Sequence, residues 1–111
     1  MIPTELNIYT NGSKMTDGVG AGFVVFEIHR KVHEDKFKLP SVCTVFQAEI
    51  KAILEAARYL TTTDKYKYVK FFVDSQAAIL ALDNHKISST LVHKAICALN
   101  DASKNRKISI H

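Results

Sequence analysis

A chain of 111 residues with 47% apolar and 23% charged residues has the composition of one globular domain and excludes a disordered or fibrous chain. Its net charge of +4 is a mild basic excess, compatible with a phosphate-bearing partner and equally with an ordinary basic surface. Two cysteines without a pairing motif, no apolar run of membrane-spanning length and no signal pattern favour a reducing intracellular setting, nucleus or cytoplasm, away from a membrane.

Leu6, Ile8 and Thr10 alternate with Asn7 and Tyr9, which predicts a first strand. Residues 11–20 hold three of the four glycines and read as a loop. Residues 21–28 are β-branched and aromatic, a second strand; 29–34 are polar and turn-like; 35–39 return as a third strand that Pro40 ends. Short connections make these three an antiparallel meander. Thr44-Val45-Phe46-Gln47 has the form of a capping box, and Ala48, Ala52, Ile53, Ala56, Ala57 and Leu60 follow at helical spacing. Tyr68 to Val73 predicts a fourth strand, with Asp74 where it stops. Ser75 caps a short helix over 76–82. A third helix spans 90–102 with Leu91, Ala95, Ala98 and Leu99 on one face, and 107–110 is a fifth strand. The order is β-β-β-α-β-α-α-β, a mixed α/β chain in which helical crossovers favour parallel pairing of the last two strands.

Cys97 falls in an apolar helical pattern and reads as a small core residue. His29, His33, His85, His93 and His111 are scattered, none at zinc-site spacing with the cysteines. The aromatic residues form no evident base-stacking array, and Tyr66, Tyr68 and Phe71 read as part of, or flanking, a core strand.

Two carboxylates ask for a reason. Glu49 lies on the line of Ala52, Ile53, Ala56 and Leu60, the apolar stripe of its helix, where a charge is costly unless paired or bound to metal. The plain alternative is an acid favoured near a helix N-terminus or at the edge of the stripe. Asp74 ends an apolar strand before a helix, at the carboxyl end where α/β sheets bind ligands, or else it serves as a cap. Asn11 ends strand one. If strands one and four pair in parallel, Asn11 and Asp74 emerge side by side, and the helix brings Glu49 to the same edge. Such a cluster suits a hard cation.

Tyr9-Thr10-Asn11-Gly12-Ser13, Thr44-Val45-Phe46-Gln47-Ala48-Glu49 and Val73-Asp74-Ser75-Gln76-Ala77-Ala78-Ile79, in that order and spacing, resemble the ribonuclease H family over essentially the whole chain. The Thr-Val-Phe-Gln-Ala-Glu wording is most similar to the domains of non-LTR (LINE-type) retrotransposon reverse transcriptases. The resemblance implies one ribonuclease H-like domain over 1–111, with a mixed five-stranded sheet in the order 3-2-1-4-5 and helices around it. It also implies two-metal hydrolysis of the RNA strand of RNA–DNA hybrids. By the same resemblance the catalytic and metal-binding roles fall on Asn11, Glu49 and Asp74, with Gly12, Ser13, Thr44 and Gln76 near the substrate backbone.

Two departures bear on activity. Asn11 stands where the family has the metal-bridging aspartate, and an amide brings no negative charge. The family's fourth acid lies beyond strand five, so the chain reads as truncated there, without the closing segment; Asp83 and Asp101 are poor substitutes and Asp17 a remote one. The resemblance therefore implies weak Mg²⁺ or Mn²⁺ binding, RNA–DNA hybrid as partner and cleavage impaired or absent. Other partners implied are the remainder of a reverse transcriptase polyprotein and a second copy covering exposed sheet surface. A non-catalytic nucleic-acid-binding module and a structural or protein-interaction domain remain as alternatives.

Overall fold

The computed structural model describes residues 5–83 and 90–111, so His85 lies outside the described residues. In chain order the elements are β1 (Glu5–Met15), β2 (Gly18–Glu27), β3 (Arg30–Leu39), α1 (Val45–Leu60), β4 (Tyr68–Val73), α2 (Gln76–Asp83), α3 (Thr90–Ala102) and β5 (Lys107–Ile110). They form one sheet in the order β3-β2-β1-β4-β5. β1 pairs antiparallel with β2 and β2 with β3, while β1–β4 and β4–β5 are parallel. The expected order and strand directions are all found.

The helices pack on one face of the sheet. Leu6 and Ile8 of β1, Phe23 and Val25 of β2 and Val69, Phe71 and Val73 of β4 are buried there against Ile50, Ile53 and Leu60 of α1, Ala78 and Ala81 of α2 and Val92 and Ala95 of α3. Side chains alternate along a strand, so Asn7, Tyr9 and Asn11, Val24 and Phe26, and Tyr68, Lys70 and Phe72 belong to the opposite face. Tyr9 remains 46% exposed there and Tyr68 53%.

The first hairpin differs from expectation. Residues 11–15 are not loop; β1 runs on to Met15, paired from Asn11↔Gly22 to Met15↔Gly18, and the turn shrinks to Thr16 and Asp17. Of the three glycines that suggested a loop, Gly12 gives way to α1 and Gly20 lies within β2. Only Gly18, at φ +153°, needs glycine's conformational freedom. β3 likewise begins at Arg30 rather than 35, after a two-residue turn at Ile28 and His29, with Val32 bulged where the register shifts. It is an edge strand, and its charged sequence hides the strand period while guarding the edge.

A buried carboxylate ties the far end of the sheet. Glu27, last residue of β2, accepts hydrogen bonds from Tyr66 Oη at 2.6 Å, Lys65 Nζ at 3.3 Å and Arg30 Nη2 at 3.1 Å. The Tyr66 bond, with help from Lys65 and Arg30, holds the Glu27 carboxyl below its ordinary range against the opposing effect of burial. Burial first and Glu27 second push the Tyr66 hydroxyl up to about 12.

Candidate active site at the carboxyl end of β1 and β4

The parallel register of β1 on β4 ends at Thr10↔Val73, so the next residues, Asn11 within β1 and Asp74 just past the end of β4, are neighbours. Both are exposed. Both line one cavity of about 970 Å³ on the open face, with Tyr9, Ser13, Phe72 and His111 among its other walls. Ring stacking continues the wall: Tyr9 lies 4.8 Å from Phe72, and Phe72 5.5 Å from His111, between centroids.

Glu49 arrives from the helical side. The Thr44 capping box starts α1, with Thr44 Oγ1 accepting from Gln47 N at 3.1 Å and Gln47 Oε1 accepting from Thr44 N at 2.8 Å. One turn later the helix crosses Gly12 so closely that a Cβ there would stand 2.7 Å from both the backbone nitrogen and Cγ of Glu49, and 3.0 Å from the carbonyl carbon of Ala48. Gly12 is therefore the seat of the helix, and it fixes Glu49 one residue away from Asn11. Glu49 is half-buried, at the margin of the apolar stripe. It does not line the cavity that Asn11 and Asp74 share.

The remaining predicted residues divide by role. Ser13 is exposed on the extended hairpin and Gln76 is exposed at the first turn of α2. Thr44 is exposed with its oxygen engaged in the cap. Ser75 caps α2, accepting from Ala78 N at 3.0 Å. Asp17, the remote substitute, is carried to the hairpin turn, past the four residues of β1 that follow Asn11, and pairs with Lys38 at 2.7 Å. Asp101 pairs with Lys104 at 3.3 Å on the surface. Among the described residues no three His, Cys, Asp or Glu side chains lie close enough to share a metal ion.

Sequence reasoning placed Cys97 in the core, but it is exposed, with Sγ 3.6 Å from His93 Nε2; the buried face of α3 centres on Val92, Ala95 and Ala102 instead. It also overlooked the aromatic row of Tyr9, Phe72 and His111 and the outward position of Tyr68. The alternation Tyr68-Val69-Lys70-Phe71-Phe72-Val73, read strictly by twos, separates the outer face from the core face and carries that signal.

No protein-family model and no curated protein sequence matches the chain. Solved structures do match in shape. RNase H1 from the halophilic archaeon Halobacterium salinarum superposes with TM-score 0.72 at 15% identity over 96% of this chain and 85% of that one. The N-terminal RNase H domain of a Mycobacterium tuberculosis protein gives 0.75 at 15% over 97% and 79%. LC11-RNase H1, solved in complex with an RNA/DNA hybrid, gives 0.73 at 18% over 96% and 83%. The fold is the ribonuclease H-like fold. Among the described residues no helix is long and apolar enough to cross a membrane.

Proposed function

We propose that this chain is a ribonuclease H domain that grips RNA–DNA hybrids at the carboxyl end of β1 and β4 and has a weakened metal site. The observation that carries the reading is the adjacency of Asn11 and Asp74 on one cavity wall; Glu49, outside that cavity, is seated over Gly12, the residue after Asn11. Three positions distant in sequence, which the motifs single out for one chemistry, share one edge of the sheet. The hybrid-bound state of a fold neighbour supports hybrid as the ligand.

The donor set fits one Mg²⁺ ion and not the two of ribonuclease H chemistry. Glu49, Asp74 and the Asn11 carbonyl are all oxygen donors, which suits one hard cation. Two carboxylates and one amide do not suit a pair of divalent ions, because no carboxylate remains to bridge them. Glu49 and Asp74 would hold a single Mg²⁺ or Mn²⁺, assisted by Asn11; when bound, such an ion supplies charge stabilisation to phosphate oxygens. Ser13, Thr44 and Gln76, hydroxyl and amide groups around the same edge, position the nucleic-acid backbone. The Thr44–Glu49 wording favours a reverse transcriptase of the non-LTR type as the setting.

Binding and cleavage separate the parts of this reading. Fluorescence anisotropy should show a blunt RNA–DNA hybrid bound more tightly than duplex DNA of the same sequence, and cleavage of the hybrid should stay near background. Equal affinity for both duplexes would remove the hybrid reading and leave a general nucleic-acid-binding module, and binding of neither would leave a structural or protein-interaction domain. Robust cleavage that depends on Glu49 would remove the weakened-site reading.

A further inference from the structure

The outward side of α3 carries a pair of side chains that the core does not explain. Val92, Ala95 and Ala102 are buried, while His93 and Cys97 are exposed, four residues apart on the same helix. Residues at that spacing are neighbours, with about 5–6 Å between Cβ atoms. Cysteine is among the residues most often buried, so an exposed thiol beside an exposed imidazole is conspicuous. Cys97 Sγ lies 3.6 Å from His93 Nε2. A tetrahedral zinc ion with bonds of about 2.3 Å to sulfur and about 2.0–2.1 Å to nitrogen sets its two ligand atoms about 3.6 Å apart. The thiol–imidazole contact thus holds both atoms at the span that a shared ion requires. Sequence spacing singled out neither residue for metal; one turn of helix brings them together.

We propose that His93 and Cys97 bind one borderline-soft divalent ion of the zinc type, through Nε2 and the Cys97 thiolate, whose proton passes to solvent on binding. The two residues line a groove of about 350 Å³ between α1 and α3, which leaves room for the two remaining positions of a tetrahedron, taken by water or an outside donor. Arg58 and Lys94 line the same groove. Arg58 meets Glu55 at 3.1 Å, and Lys94 is exposed. Two cations beside the pair disfavour an ion attracted by charge alone, such as Mg²⁺. Selection is left to softness, since thiolate and imidazole prefer zinc and its neighbours to magnesium or calcium. Asp101, one turn beyond Cys97, is paired with Lys104 and makes no third ligand. The site shares no residue with the oxygen donors at Asn11, Glu49 and Asp74, so it stands independently of the nucleic-acid reading.

The test titrates Co²⁺, a coloured stand-in for zinc, into the whole reduced chain. The expected result is a sulfur-to-cobalt charge-transfer absorption that saturates at one ion per chain, that Zn²⁺ displaces and that excess Mg²⁺ leaves unchanged. Cys97→Ser keeps a hydrogen-bonding group but removes the soft donor, and His93→Gln removes the imidazole. Cys97→Ser should lose the absorption. Each variant should weaken Zn²⁺ binding, read by competition, at least about tenfold, a loss that removal of even an outer partner of a metal ligand can cause. Both positions are exposed, so the circular dichroism of the variants should match that of the parent chain. Cys43→Ser, at the other cysteine, should keep both the absorption and the affinity. Absence of the absorption overturns the proposal, as does an absorption that survives Cys97→Ser, is lost in Cys43→Ser or yields to Mg²⁺. A cobalt spectrum without a sulfur band, abolished by Asp74→Asn, would place the ion among the oxygen donors and overturn it as well.

Discussion

Gly12 decides more of the site than either carboxylate. With a helix backbone 2.7 Å from where a Cβ would sit, Gly12→Ala forces α1 outward and takes Glu49 with it. The expected cost is about 1–3 kcal/mol, the range for overpacking a close contact, seen as a lower urea midpoint at unchanged slope. Asn11 acts through charge. Asn11→Asp adds a third carboxylate to the edge and should tighten Mn²⁺ binding roughly tenfold by calorimetry, since hard-cation affinity follows ligand charge. At the opposite end of the sheet, pH reports on Glu27 and Tyr66. The folded Glu27 titrates below its ordinary value of 4.5, so its contribution is present above that value and fades as pH falls through the lower, folded one. The Tyr66 hydroxyl is raised, so its contribution is complete below pH 10 and fades as pH climbs towards about 12. Glu27→Gln should therefore flatten the acid limb of a stability-versus-pH curve measured by urea melts, and an unchanged acid limb would count against the Glu27 cluster.

At the scale of elements, legibility tracked how strongly burial stamps a period on the sequence. α1 was readable because its cap and stripe are both local, and the cap carries its own prediction. Thr44→Ala removes the acceptor for Gln47 N and should cost about 1 kcal/mol, a fall in Tm of about 4–8 °C for a chain near this size. β4 and β5 were readable from apolar alternation. The end of β1 was not, because glycines chosen for clearance under a helix look the same in sequence as glycines chosen for a turn. The start of β3 was not, because this edge strand is mostly charged over residues 30–36 and only Val32 there packs against the core. The adjacency of Asn11 and Asp74 was legible from the expected parallel pairing of β1 and β4, but the place of Glu49 outside their shared cavity was not. That Glu49 comes from the helical side follows from a helix seated on Gly12, a clearance that the motif alone does not reveal.

At the scale of the molecule, all described helices crowd one face of the sheet, and Tyr9, Phe72 and the cavity lined by Asn11 and Asp74 lie on the other. The strand order also has a kinetic meaning. The β1–β2–β3 meander closes through neighbours in sequence, whereas β1 reaches β4 only after some sixty intervening residues have been gathered in. Loop closure over that span is entropically slow compared with hairpin formation. The meander is then expected to form early and the β4 crossover late. In stopped-flow refolding, Val25→Ala should mainly slow folding, while Val69→Ala should mainly speed unfolding. A chain emerging residue by residue thus completes a hairpin sheet with Asn11 already in position, and acquires the rest of its candidate chemistry only when the last pairing shuts.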